Sequence, residues 1–126
     1  MTDLSQVRER YLRDPLPVRL GGLAANLARV RSFSDNPEHG EVVARLIEES
    51  AWFIEWLAPD APADTQVILI DCQRALTRWR LSWVVIWADP ERRAEMATRA
   101  GAWSERFLGL SGLVHAASRG IGSHRA

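Results

Sequence analysis

Chemistry in a protein starts from nucleophiles, bases and metal ligands, and this sequence offers few of them. Its histidines are His39, His115 and His124, and Cys72 is its only cysteine. A carboxylate-bridged metal site in a helical bundle wants Glu-x-x-His on two helices, so that both ligands project inward one turn apart. That spacing does not occur, and His39 instead follows directly on Glu38. The histidines therefore read as surface residues, and no metal is expected. A nucleophilic thiolate needs a base or cation beside it. Cys72 falls on the apolar side of its helix, with Arg74 and Arg78 pointing elsewhere, so it is expected to fill the core. Gly21-Gly22 opens a helical segment as phosphate-cradling loops do, but no preceding strand, lysine or third glycine completes such a pattern, and close packing or a kink is the expectation. No catalytic residue and no cofactor are expected.

The six tryptophans are the more informative residues. Trp79, Trp83 and Trp87 ride the apolar face of a fourth helix and Trp103 that of a fifth, where core packing explains them. Trp52 and Trp56 differ, because on a helical projection they share the side of Arg45, Glu48 and Glu49, away from Leu46, Ile47, Ile54 and Leu57. Either the first helix or the chain's tail covers them, or they form a contact surface for a protein partner or a second copy, with a polar rim of Arg45, Glu48 and Glu49. A flat aromatic ligand stacked on the pair is a third reading.

Charge narrows the partners. The 16 Asp and Glu balance 16 Arg, with no Lys, so no basic field exists to hold nucleic acid. The absence of Lys reads as codon bias more readily than as selection for bidentate guanidinium pairs. Residues 35–64 hold eight acids against one Arg, while residues 1–33 carry a balance of +3. Glu48, Glu49 and Glu55 are thus expected to meet Arg29 and Arg31, or Arg74, Arg78 and Arg80, across helix interfaces, Arg92, Arg99 and Arg106 form one stripe, and an anion-binding groove is the alternative reading of these charges.

These residues must be carried by elements, and the spacing predicts helices throughout. At 126 residues, 47% hydrophobic and 25% charged, the chain has the size and composition of one globular domain. That domain is expected over 1–114, with a flexible tail over 115–126. A lone cysteine fits a reducing cytoplasm, and the opening residues lack the pattern of a secretory signal. The longest apolar run, Trp83 to Ala88, is far short of the ~20 residues that span a bilayer.

Prolines and short polar clusters divide the chain, and each long segment repeats apolar residues in steps of three and four. A short first helix runs from about Asp3 to Arg13, ending before Asp14-Pro15. A second, from about Pro17 to Phe33, aligns Leu16, Leu20, Leu23, Leu27 and Val30. Asn36 caps a third with Pro37 in its first turn; its core face is Val43, Leu46, Ile47, Ser50, Ile54 and Leu57, and it stops before Pro59. The fourth, from about Ala63 to Ala88, buries Leu69, Cys72, Leu76, Trp79, Trp83 and Ile86. It is apolar nearly all round from Leu81 to Trp87, so it is expected to be the central helix, most deeply buried at its C-terminal end. Asp89-Pro90-Glu91 starts a fifth that aligns Met96, Ala100, Trp103, Phe107 and Leu110. Without strand alternation, the class is all-α: an antiparallel bundle of about five helices, four long and one short at the N-terminus.

The segments Asp14-Pro15-Leu16-Pro17 to Asp35-Asn36, Leu46-Ile47-Glu48-Glu49-Ser50 to Trp56, and Trp87-Ala88-Asp89-Pro90 resemble a family of small uncharacterised cyanobacterial proteins. That resemblance implies a helical protein and carries no activity or site residues with it. The functional expectation is a non-enzymatic bundle that works through protein contacts, as a homodimer using the Trp52/Trp56 face. The alternative is a small-molecule binder whose apolar cavity between the fourth and fifth helices is lined by Trp79, Trp83 and Trp103 and flanked by Arg99 and Arg106.

Overall fold

Prolines stand at most joints of this chain, because the ring removes the amide that would continue an α-helix. A computed structural model describes residues 3–112, and within them the protein is all-helical, with no strand. The α-helices are α1 (Leu4–Arg13), α2 (Leu16–Phe33), α3 (Gly40–Leu57), α4 (Ala63–Leu81), α5 (Trp83–Ala88) and α6 (Pro90–Ser111). Single 3-10 turns at Pro37–His39 and Ala58–Asp60 lead into and out of α3. The tail expected to be flexible lies outside the described residues.

Local signals account for the starts and stops. The Asp3 carboxylate accepts from the Ser5 amide at 2.9 Å and opens α1. Asn36 accepts from the Glu38 amide at 2.9 Å, so it caps the 3-10 turn that precedes α3 rather than α3 itself. Asp89 does the same for the Glu91 amide at 2.9 Å, with Pro90 as the first residue of α6. Gly112, with φ of 77°, ends α6 in the left-handed conformation that glycine adopts without penalty. α2 runs unbroken through Gly21-Gly22, where the Tyr11 ring of α1 lies 3.8 Å from the position of a Cβ on Gly22.

The core forms around α2, not around the fourth helix. Leu23, Leu27 and Val30 are fully buried, and α2 packs against both α6 and α3. Small residues make the α2–α6 approach close. Ala97, Ala100, Gly101 and Ser104 are buried on α6, and the Ser104 hydroxyl donates to the Ala24 carbonyl at 2.6 Å. Without bulky side chains between them, the two backbones sit within reach of one side-chain hydrogen bond. From α3 come Val43, Ile47, Ile54 and Leu57, and from α4 come Leu69, Cys72 and Leu76. Leu46 and Leu16 are only half-buried.

Two expectations about the fourth helix are corrected. It ends at Leu81, and Ser82, at φ −108° and ψ 20°, separates it from α5, giving six α-helices among the described residues where five were expected. Nor is its C-terminal end buried. Trp83, Ile86 and Trp87 turn toward the core, whereas Leu81, Val84 and Val85 face outward. Beyond the break, Trp87 is tethered to the turn that precedes α3. Its indole nitrogen donates to the Pro37 carbonyl at 2.8 Å and its ring stacks on Trp83 at 5.1 Å. On α6, Leu110 is likewise exposed, while Met96, Ala100 and Phe107 are buried as the spacing predicts.

Candidate functional site

Trp52 and Trp56 stand one turn apart on α3 with their rings stacked at 5.8 Å. They line a shallow crevice with Arg45, Glu48 and Glu49 of α3 and Leu4 and Val7 of α1. The five residues that the helical projection groups are therefore brought together. The pair is nonetheless divided by its surroundings. Trp56 is half-buried and joins Tyr11 and Phe53 in an aromatic cluster whose centre is the Tyr11–Phe53 stack at 4.1 Å. The Tyr11 hydroxyl donates to the Arg19 carbonyl at 2.8 Å, and burial holds its pKa well above the ordinary tyrosine range. Trp52 keeps 38% of its surface exposed. Glu49 faces α2, where it accepts from the Asn26 amide at 2.9 Å, and Asn26 in turn accepts from Arg29 at 3.1 Å. The acid of α3 and the arginine of α2 are thus joined through Asn26.

The remaining acids and arginines do not pair as the charge pattern suggests. Three of the four ion pairs among the described residues join neighbours on one helix or its cap: Arg74–Asp71, Arg92–Asp89 and Arg99–Glu95. The fourth, Arg19–Asp60 at 2.9 Å, links α2 to the turn before α4. Arg31 lies over Gly101 of α6.

The Trp-lined cavity is assembled only in part. Trp79, Trp103 and Arg99 share an open recess of about 330 Å³ with Arg78 and Glu95. Trp83 is drawn away by its stack on Trp87, and the Arg106 guanidinium sits 5.9 Å from the centre of the Trp103 ring. Cys72 is fully buried, and burial pushes its thiol up to about 12, which holds it in the unreactive protonated form. His39 packs edge-on to Phe33, and among the described residues no group of three His, Cys, Asp or Glu is placed to hold a metal ion. No described helix is long and apolar enough to cross a membrane.

A second surface, on α4 and α5, exposes large apolar side chains. α4 carries a second stripe opposite its core stripe: Val67 is 60% and Ile70 52% exposed, and Leu81 at the helix end is 83% exposed. Val84 at 81% and Val85 at 53% extend the apolar surface onto α5. Beside it, α3 and α4 leave an open groove of about 670 Å³ walled by Ile54, Ala58, Leu69 and Ile70, with Arg74 and Arg78 at its edge. Gln73 spans its floor, donating to the Ala51 carbonyl at 3.1 Å. The signal was present in the spacing of Val67, Ile70 and Leu81, but it is masked by the stronger stripe of Leu69, Cys72, Leu76 and Trp79. No family model, no curated protein and no solved structure matches this chain, so its functional reading rests on this geometry.

Proposed function

We propose that the protein is a non-enzymatic helical bundle that works through protein contact, self-associating by the outer face of α4 and the exposed side of α5. The observation that carries this reading is the exposure of Val67, Ile70 and Leu81 on α4 and of Val84 and Val85 on α5. Single exposed apolar residues are ordinary, whereas five large ones on two successive helices are more than solvent exposure alone favours. Asp71, Arg74, Arg78 and Arg80 supply polar flanks of both signs on the same helix, as expected of a surface that meets water when unoccupied. The Trp52 face is the lesser candidate, since Tyr11 and Phe53 already occupy one side of Trp56. The short connections between successive long helices fit an antiparallel bundle, which leaves α4 at the periphery with an outer face to offer.

The test is the solution mass. The reading expects the wild-type chain, 14.2 kDa as a monomer, to sediment as a dimer at micromolar concentration, and Leu81→Glu with Val84→Glu to sediment as a folded monomer. Both substitutions fall on exposed positions, so a helical circular-dichroism spectrum should survive them. A wild-type chain that stays monomeric up to about 100 μM, which puts any Kd above that concentration and its binding free energy below about 6 kcal/mol, overturns the reading.

A further inference from the structure

We infer that the second copy docks with its α4 antiparallel to the first, about a two-fold axis passing between Arg74 and Thr77. This rests on the reading of α4 and α5 as the self-association surface, and it specifies the occupant's orientation and register. Val67, Ile70, Arg74, Thr77 and Leu81 follow one another at steps of three, four, three and four, the seam spacing of a paired helix. The seam is apolar at both ends and polar in its middle, where Arg74 and Thr77 stand. A polar layer within an apolar seam fixes register, because any shift sets it against apolar neighbours.

Orientation follows from charge. The N-terminal half of α4 carries Asp64 and Asp71, and the C-terminal half carries Arg74, Arg78 and Arg80. A parallel second copy would oppose acid to acid and arginine to arginine. An antiparallel one sets Asp71 against Arg78 of the second copy and, by symmetry, Arg78 against its Asp71. Flanking charge pairs of this kind set the orientation of paired helices. In the same register Ile70 meets Leu81 of the second copy. The exposed end of one α4 is thereby brought to the mouth of the groove between α3 and α4 of the other, twice over. Such an isologous contact closes on itself and leaves neither apolar end exposed.

Cysteine cross-linking under mild oxidation tests the arrangement, and Cys72, fully buried, stays out of the reaction. An equimolar mixture of Ile70→Cys and Leu81→Cys chains should yield a covalent dimer, and neither variant should do so by itself at a comparable rate. Reversing one charge, Asp71→Arg, should weaken dimerisation about fivefold for each pair lost, and adding Arg78→Asp on the same chain should restore it. If Leu81→Cys cross-links to itself, or the mixture fails to cross-link while the wild type still sediments as a dimer that Leu81→Glu disrupts, the antiparallel register is overturned and the self-association reading stands. A monomeric wild type overturns both.

Discussion

The Arg19 guanidinium lies 2.9 Å from the Asp60 carboxylate and joins the start of α2 to the turn between α3 and α4. The arginine side chain is buried, and its Nε also donates to the Asp14 carbonyl at 3.0 Å, while the Asp60 side chain is more than half exposed. The two ends of this pair therefore differ in worth. Arg19→Ala should lower the unfolding free energy by roughly 2–3 kcal/mol, because it removes two charge-assisted hydrogen bonds and a packed side chain. Asp60→Ala should cost only about 1 kcal/mol, since water replaces the carboxylate. Urea titrations of both variants read the difference, and equal costs would contradict the assignment.

Two glycines should respond in opposite senses to the same substitution. A Cβ on Gly40 would stand 2.8 Å from the Trp87 indole nitrogen, and that ring is held by Trp83, by the Pro37 carbonyl and by Arg93 above it. Gly40→Ala should thus destabilise the fold by about 1–3 kcal/mol, the usual cost of forcing atoms into a packed site, and shift the tryptophan emission. A Cβ on Gly101 would stand 2.6 Å from the Cδ of Arg31, and because Arg31 is exposed a shift of that one side chain would make room. Gly101→Ala should be neutral or stabilising, because alanine is worth about 1 kcal/mol over glycine inside a helix.

Alkaline pH should unfold the protein from within. Burial raises the Cys72 thiol from 9.0 to about 12 and likewise raises Tyr11 well above the ordinary tyrosine range. Both groups are neutral when protonated, and each folded-state value lies above the unfolded one. Their contribution to stability is complete below about pH 9 and is lost as pH rises toward 12. Denaturation midpoints should be flat with respect to these groups up to pH 9 and fall beyond it, with Cys72→Ala losing part of that fall. In the same range below pH 9, Cys72 should react with a thiol reagent only after denaturant is added.

The stacked tryptophans should separate by mutation. Trp56→Ala breaks contacts to Tyr11 and Phe53 that pin α1 to α3, and it should cost about 3 kcal/mol or more and speed hydrogen exchange in residues 4–13. Trp52→Ala removes a ring that is 38% exposed and should cost about 1 kcal/mol. Comparable losses from the two substitutions would show that Trp52 is as deeply engaged as its neighbour.

Much of this protein is decided locally and is legible in its residues. Pro15, Pro37, Pro59 and Pro90, with Asn36 and Asp89 as caps, mark the helix limits because backbone geometry and the first unpaired amides act within a few residues. The three-and-four spacing of Leu20, Leu23, Leu27 and Val30, or of Val43, Ile47, Ile54 and Leu57, names the buried faces for the same reason. What a helix face meets is not local. Ala97, Ala100, Gly101 and Ser104 are undistinguished in sequence, yet together they admit α2 as the central helix and leave α4 at the edge. With α4 at the edge, its second apolar stripe is exposed among the described residues, as are Leu81, Val84 and Val85 around Ser82. The sequence by itself determined which residues are helical and which stripe is core. Only the packing of one helix on another decided that Trp56 is covered by Tyr11 and that α4 and α5 are left facing out.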